Sequence, residues 1–124
     1  MGITDIRFQE RKWYVMNIKI QEYSVTPTTL IAGTQGSEGV FRLTFSFDSS
    51  WDGLAKRAVF AMPDGTCIYR SVRADEVIIP REVLQTRGKC RCFLVGRRGG
   101  RRLVSAGCDL IVLATAGFSE EVSE

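Results

Sequence analysis

The residues able to do chemistry in this chain are few, and their types already narrow the field. Histidine is absent, which removes the commonest general base near neutral pH, the imidazole metal ligand and the usual activator of a Ser or Cys nucleophile. Cys67, Cys90, Cys92 and Cys108 remain. None forms the C-x-x-C pair of a zinc or redox motif, and C-x-C on a strand turns Cys90 and Cys92 to one face as small buried hydrophobes. Core thiols are the expectation, with a disulfide or a structural zinc as lesser alternatives. Carboxylates fall close together as Asp48 with Asp52 and Asp75 with Glu76, the residue type that glycoside hydrolysis needs in a pair. Their settings have a plainer account, because Asp48 and Asp52 flank a turn whose backbone donors an Asx side chain accepts, and Asp75-Glu76 leads into a strand from a loop. Neither a P-loop, a dinucleotide glycine fingerprint nor a G-x-S-x-G elbow occurs. The chain is expected not to be an enzyme and to use no cofactor and no metal.

Binding is the better-supplied chemistry. The net charge is only +3, but residues 81–102 hold eight Arg or Lys against the single acid Glu82, a local +7. Within that stretch Arg97-Arg98-Gly99-Gly100-Arg101-Arg102 reads as a hairpin tip. Its guanidinium groups suit an acidic protein surface, or the phosphates and bases of a nucleic acid, or serve solubility alone. Nucleic acid ranks behind protein here, because the aromatic residues fall mostly on strand faces where burial is expected. Trp51 sits among turn residues, where it is either a lid on the core or a carbohydrate-stacking platform. Trp13 and Tyr14 put adjacent rings on opposite faces of a strand, so one of them is a candidate contact with another subunit.

The elements that must position these groups are strands. In Phe41–Phe47 the apolar Phe41, Leu43, Phe45 and Phe47 alternate with Arg42, Thr44 and Ser46, the period-two pattern of a half-buried strand. Further β segments are expected over residues 11–20, 21–31, 57–62, 67–71, 77–79, 89–96, 103–106 and 108–115, with Pro63-Asp64-Gly65 as a turn. Ala32 to Gly39 reads as a flexible connection. Arg81 to Thr86, stopped by Gly88, has room for about one helical turn. No segment keeps a helical period. These features predict an all-β, immunoglobulin-like antiparallel β-sandwich with one short helical turn near residues 81–86. The expected organisation is an N-terminal extension or arm over 1–20, the sandwich over 21–116, and an acidic flexible tail over 117–124. No apolar stretch approaches the roughly 18 residues of a membrane span, and the opening MGITDIRFQERKWYV lacks the apolar core of a signal peptide.

Four short pieces in order carry a family resemblance: Phe45-x-Phe47-Asp48-x-x-Trp51-Asp52-Gly53-Leu54, then Lys56-x-Ala58-Val59-Phe60, then Val77-Ile78-Ile79-Pro80-x-Glu82-Val83-Leu84, then Gly88 to Gly96. Over residues 40–115 the chain resembles the N-terminal immunoglobulin-like module of phage baseplate upper proteins and related tail-fibre and prophage structural proteins of Gram-positive bacteria. The resemblance implies a β-sandwich that assembles into a virion or virion-like tail, with no catalytic residue to carry over. It implies that Trp51 packs over the open end of the sandwich, that Gly53 takes an unusual φ, and that Pro80 ends a strand ahead of a capping turn at Glu82 to Leu84. About fifteen residues precede Met16, whose MNIKIQEYSV offers a second start. The expected role is a non-enzymatic structural or assembly protein of a phage or prophage tail, in the virion or in the bacterial cytoplasm during assembly. Its expected partners are other tail proteins or itself, through Trp13, Tyr14, Trp51, Arg97, Arg98, Arg101 and Arg102. Carbohydrate binding at the host surface and nucleic-acid binding through the arginine hairpin are the alternatives.

Overall fold

A computed structural model describes residues 12–115 of the chain. Among these residues ten strands form: β1 (Tyr14–Gln21), β2 (Ser24–Thr26), β3 (Thr29–Thr34), β4 (Phe41–Phe47), β5 (Ala55–Ala61), β6 (Cys67–Ser71), β7 (Glu76–Ile78), β8 (Gly88–Arg98), β9 (Arg101–Val104) and β10 (Cys108–Leu113). A 3-10 turn over Ser49–Trp51 follows β4, and a single α-helical turn, α1 (Arg81–Gln85), precedes β8. The strands make two layers. Sheet A has the order β2-β1-β4-β7, and sheet B the order β3-β10-β8-β5-β6 with β9 also paired to β8. The neighbours β10-β8-β5-β6 repeat the G-F-C-C′ order of a variable-type immunoglobulin sheet.

Two pairings depart from the antiparallel pattern, β1 with β4 and β3 with β10. Parallel neighbours need a crossover rather than a hairpin. The chain supplies one by leaving sheet A after β2, running β3 along the edge of sheet B, and returning to sheet A as β4. Ala32 to Thr34, expected as part of a connection, therefore belong to β3. The expected boundary after residue 20 falls inside β1, which pairs residue for residue with β4 from Tyr14 to Ile20. Met16, Ile18 and Ile20 alternate with Asn17 and Lys19 just as β4 alternates, so Ile18 and Ile20 join the core. The acidic tail lies outside the described residues.

Leu43, Phe45, Val77 and Ile79 face Ala58, Phe60, Cys92, Leu94 and Leu110 across the sandwich in one cluster. Each end of it is plugged. At the end where β4 finishes, Trp51 is fully buried and its ring centroid lies 5.3 Å from that of Phe47. At the other end α1 turns Val83 and Leu84 inward, both fully buried, and the Leu84 carbonyl accepts from Gly36 N–H at 2.9 Å. Pro80 begins this turn because a helix tolerates proline only in its first turn, while a strand loses a ladder donor there. Gly53 takes φ +77° after the 3-10 turn, a conformation that Cβ penalises in other residues.

Candidate functional site

The arginine hairpin is built by β8 and β9, whose Arg98 and Arg101 are the last paired residues around Gly99-Gly100. Gly99 takes φ +60° and Gly100 does not take a positive φ, the pattern of a type II′ turn, whose twist suits a tight hairpin. Strand alternation then splits the four arginines. Arg98 and Arg101 pair with each other and, with Asp52, line a hollow of about 410 Å³ at the Trp51 end, where an Arg98 guanidinium nitrogen lies over Gly53. Arg97 and Arg102 pair with each other and turn to the solvent face of sheet B, where they border a groove of about 520 Å³. Arg102 borders both hollows.

The groove on sheet B has an apolar floor and a cationic rim. Its floor comes from β5 and β8, whose cores alternate: Ala58 and Phe60 point inward, so Arg57 and Val59 point out, and Leu94 inward leaves Val95 out. Val59 lies opposite Tyr69 of β6 and Phe93 of β8, and these neighbours shield it to 2% exposure although it faces away from the core. Tyr69 stays 53% exposed, with the Arg57 guanidinium 5.7 Å from its ring centroid. Arg57, Arg97 and Arg102 have no ion pair among the described residues. Farther along the same face Lys89 and Arg91 share the carboxylate of Asp109, at 3.7 and 3.1 Å. Free guanidinium forks beside a tyrosine and two valines can take carboxylate or phosphate groups by paired N–H donation while the floor covers apolar atoms.

The other expected contact residues lie elsewhere. Trp51 is 0% exposed, so it offers no stacking platform to a sugar. Its indole N–H donates to the Glu22 carbonyl at 2.7 Å, and the Asp48 carboxylate accepts the Glu22 N–H at 2.9 Å. Together they hold Glu22 in a left-handed turn at φ +55°. Trp13 and Tyr14 sit at the α1 end, remote from the hairpin. The Trp13 ring is half-buried with the Arg42 guanidinium 5.2 Å from its centroid, and Tyr14 is exposed beside Phe41 at 5.3 Å. Trp13 borders a cleft of about 560 Å³ with Arg42, Arg73 and Glu76. Arg42 there pairs with Glu76 at 3.3 Å, while its buried Nε finds no partner. Sequence reasoning missed Tyr69 and Arg57. The signal was present, since Cys67, Tyr69 and Ser71 share a parity that opposes Ile68, but nothing in the sequence said that β6 would stand next to β5 and lead on to Arg97.

Three of the expected core thiols are buried, and burial pushes the Cys90 and Cys108 thiols up to about 11 and raises Cys92 further. Cys67 departs from that expectation. It lies exposed at the start of β6, the edge strand of sheet B. All four are free thiols. Asp48 is engaged as the cap of the 3-10 turn, accepting from Ser50 N–H at 3.1 Å and from the Ser50 hydroxyl. The Ser50 hydroxyl, with the Glu22 and Ser50 N–H groups, holds its carboxyl below the usual value. Among the described residues no three His, Cys, Asp or Glu side chains converge to hold a metal ion, and no helix is long and apolar enough to cross a membrane. The chain matches no protein-family model and no curated protein.

Proposed function

We propose that this chain is a non-enzymatic assembly module of a phage or prophage tail, working through protein–protein contact at the solvent face of sheet B. The observation that carries the docking role is the set of three unpaired arginines, Arg57, Arg97 and Arg102, gathered round exposed Tyr69 and the Val59–Val95 floor. Arginine and tyrosine anchors on an otherwise regular sheet are the residue types that dominate protein interfaces, and a cationic rim steers acidic partners toward it. The tail assignment is supported by the ordered motifs, which occupy β4, the Trp51 plug, β5, α1 and β8 in turn.

The test is co-expression with neighbouring tail genes, followed by affinity capture through a terminal tag. The native chain is expected to bring down a tail protein, and a variant carrying Arg57→Glu, Arg97→Glu and Arg102→Glu is expected to lose it while melting as the native chain does. Equal capture by the variant, or no tail protein captured by either, overturns the reading. Single-stranded nucleic acid is the second reading, favoured by the exposed Tyr69 ring beside the Arg57 guanidinium. It predicts retardation of a labelled oligonucleotide that weakens steeply with salt.

A further inference from the structure

The end of this chain and the groove on sheet B carry opposite charges, and the fold places their attachment points far apart. Residues 116–124 read AGFSEEVSE, with Glu120, Glu121 and Glu124, the apolar Phe118 and Val122, and no basic residue. Arg57, Arg97 and Arg102 round Val59, Val95 and Tyr69 are the chemical complement. The segment lies beyond the described residues, and its contour length decides what it reaches.

β10 runs antiparallel to β8 with Val112 beside Gly88, so the chain leaves the sandwich at the α1 end, away from the hairpin. Thr115 is tied there by its hydroxyl, which donates to the Gln35 carbonyl at 2.8 Å. Gly88 to Arg97 is nine residues of strand, about 30 Å at ~3.3 Å per residue. Glu121 is six residues past Thr115 and extends at most ~22 Å from it. Extended backbone therefore leaves Glu120 and Glu121 short of Arg97 and Arg102 in their own molecule, and only Glu124, nine residues past Thr115 with a reach of ~32 Å, just spans that distance, too little for the whole segment to lie along the groove. The groove of a second copy carries no such restriction.

We infer that the 116–124 segment of one copy docks in the Arg57–Arg97–Arg102 groove of the next, joining copies head to tail. This rests on the reading of the sheet B face as a docking surface and names its occupant. The carboxylates of Glu120 and Glu121 accept from the guanidinium forks, and Phe118 and Val122 cover the valine and tyrosine floor. Such a contact joins two different surfaces, so it is heterologous and closes into a ring or continues as a filament rather than stopping at a two-fold pair.

Charge reversal in trans tests the inference on the full chain. One variant carries Arg97→Glu and Arg102→Glu, and the other Glu120→Lys and Glu121→Lys; thermal melts verify that both fold. In sedimentation velocity at low salt the native chain is expected to self-associate and each variant alone to sediment as a monomer. An equimolar mixture of the two is expected to associate again, because native segment then meets native groove and reversed segment meets reversed groove. Added salt should weaken the native association. A native chain that stays monomeric, a segment-reversed variant that associates as the native chain does, or a mixture that stays monomeric each overturns it. Where the native chain is monomeric yet the groove variant still loses its captured tail protein, this inference falls and the docking face stands.

Discussion

Replacing Gly96 by alanine tests the packing of the Trp51 plug, the feature that closes the hairpin end of the sandwich. A Cβ built at Gly96 would lie 2.8 Å from Leu54 Cδ1, 2.9 Å from Trp51 Cζ3 and 3.0 Å from Trp51 Cε3, against about 3.5–4.0 Å for unstrained carbon contacts. Leu54 can turn away, being only half-buried. Trp51 cannot, because its indole is tied to the Glu22 carbonyl and Phe47 stands beside it. Forcing an extra methyl into such a site costs about 1–3 kcal/mol. Gly96 does not take a positive φ, so alanine also recovers about 0.4–1 kcal/mol by restricting the unfolded chain. The balance is a destabilisation of about 1–2 kcal/mol, or a Tm lowered by roughly 4–8 °C in a domain of this size. Urea unfolding followed by circular dichroism should show the midpoint falling with an unchanged m-value. The narrower ring of Trp51→Phe should relieve the overlap, so the double variant should be more stable than the sum of the single losses by at least about 0.5 kcal/mol. A Gly96→Ala protein as stable as the native one, or strict additivity in the double variant, would refute this account of the plug.

Ser105 is a buried polar residue that accepts the Leu94 N–H at 2.9 Å where β9 gives way to β10. Ser105→Ala strands that donor and should cost about 1–3 kcal/mol, with faster hydrogen exchange at the Leu94 amide as its local signature. Asp48 is depressed on folding by the Ser50 hydroxyl and the Glu22 and Ser50 N–H groups. Its contribution is complete above the ordinary value of 3.8 and fades as pH falls through the lower folded value. Acid titration should therefore erode the stability of the native chain more steeply than that of Asp48→Asn, and equal slopes would contradict the capping role. Iodoacetamide at mildly alkaline pH should modify Cys67 in the folded protein, and Cys90, Cys92 and Cys108 only in denaturant, as peptide mass mapping would reveal.

Much of the layer structure was legible because burial on one face of a strand writes a period of two into the residues. Phe41 to Phe47 and Cys90 to Leu94 carry that period, and Pro80 bounds the one helical turn at its start by removing a donor, while the turn ends at the extended Thr86 and Gly88, expected to stop it, opens β8 instead. The same rule operates in Met16, Ile18 and Ile20, but their strand pairs with a partner more than twenty residues away, and a local pattern carries no information about which sheet receives it. Hence residues 14–20 of the expected arm belong to an integral strand, and two pairings are parallel.

The site divides along the same line. From sequence alone come a cationic hairpin on a glycine turn, no histidine chemistry, and the expectation of core thiols, which the structure meets at Cys90, Cys92 and Cys108 and not at Cys67. Only the tertiary structure decides that Trp51 is sealed inside, that Arg97 and Arg102 part company with Arg98 and Arg101, and that Arg57 and Tyr69 from other strands join them. The physical reason is that alternation fixes which way a side chain points relative to its own strand, whereas the neighbours it meets depend on strand order, and that is set by long-range burial across both sheets.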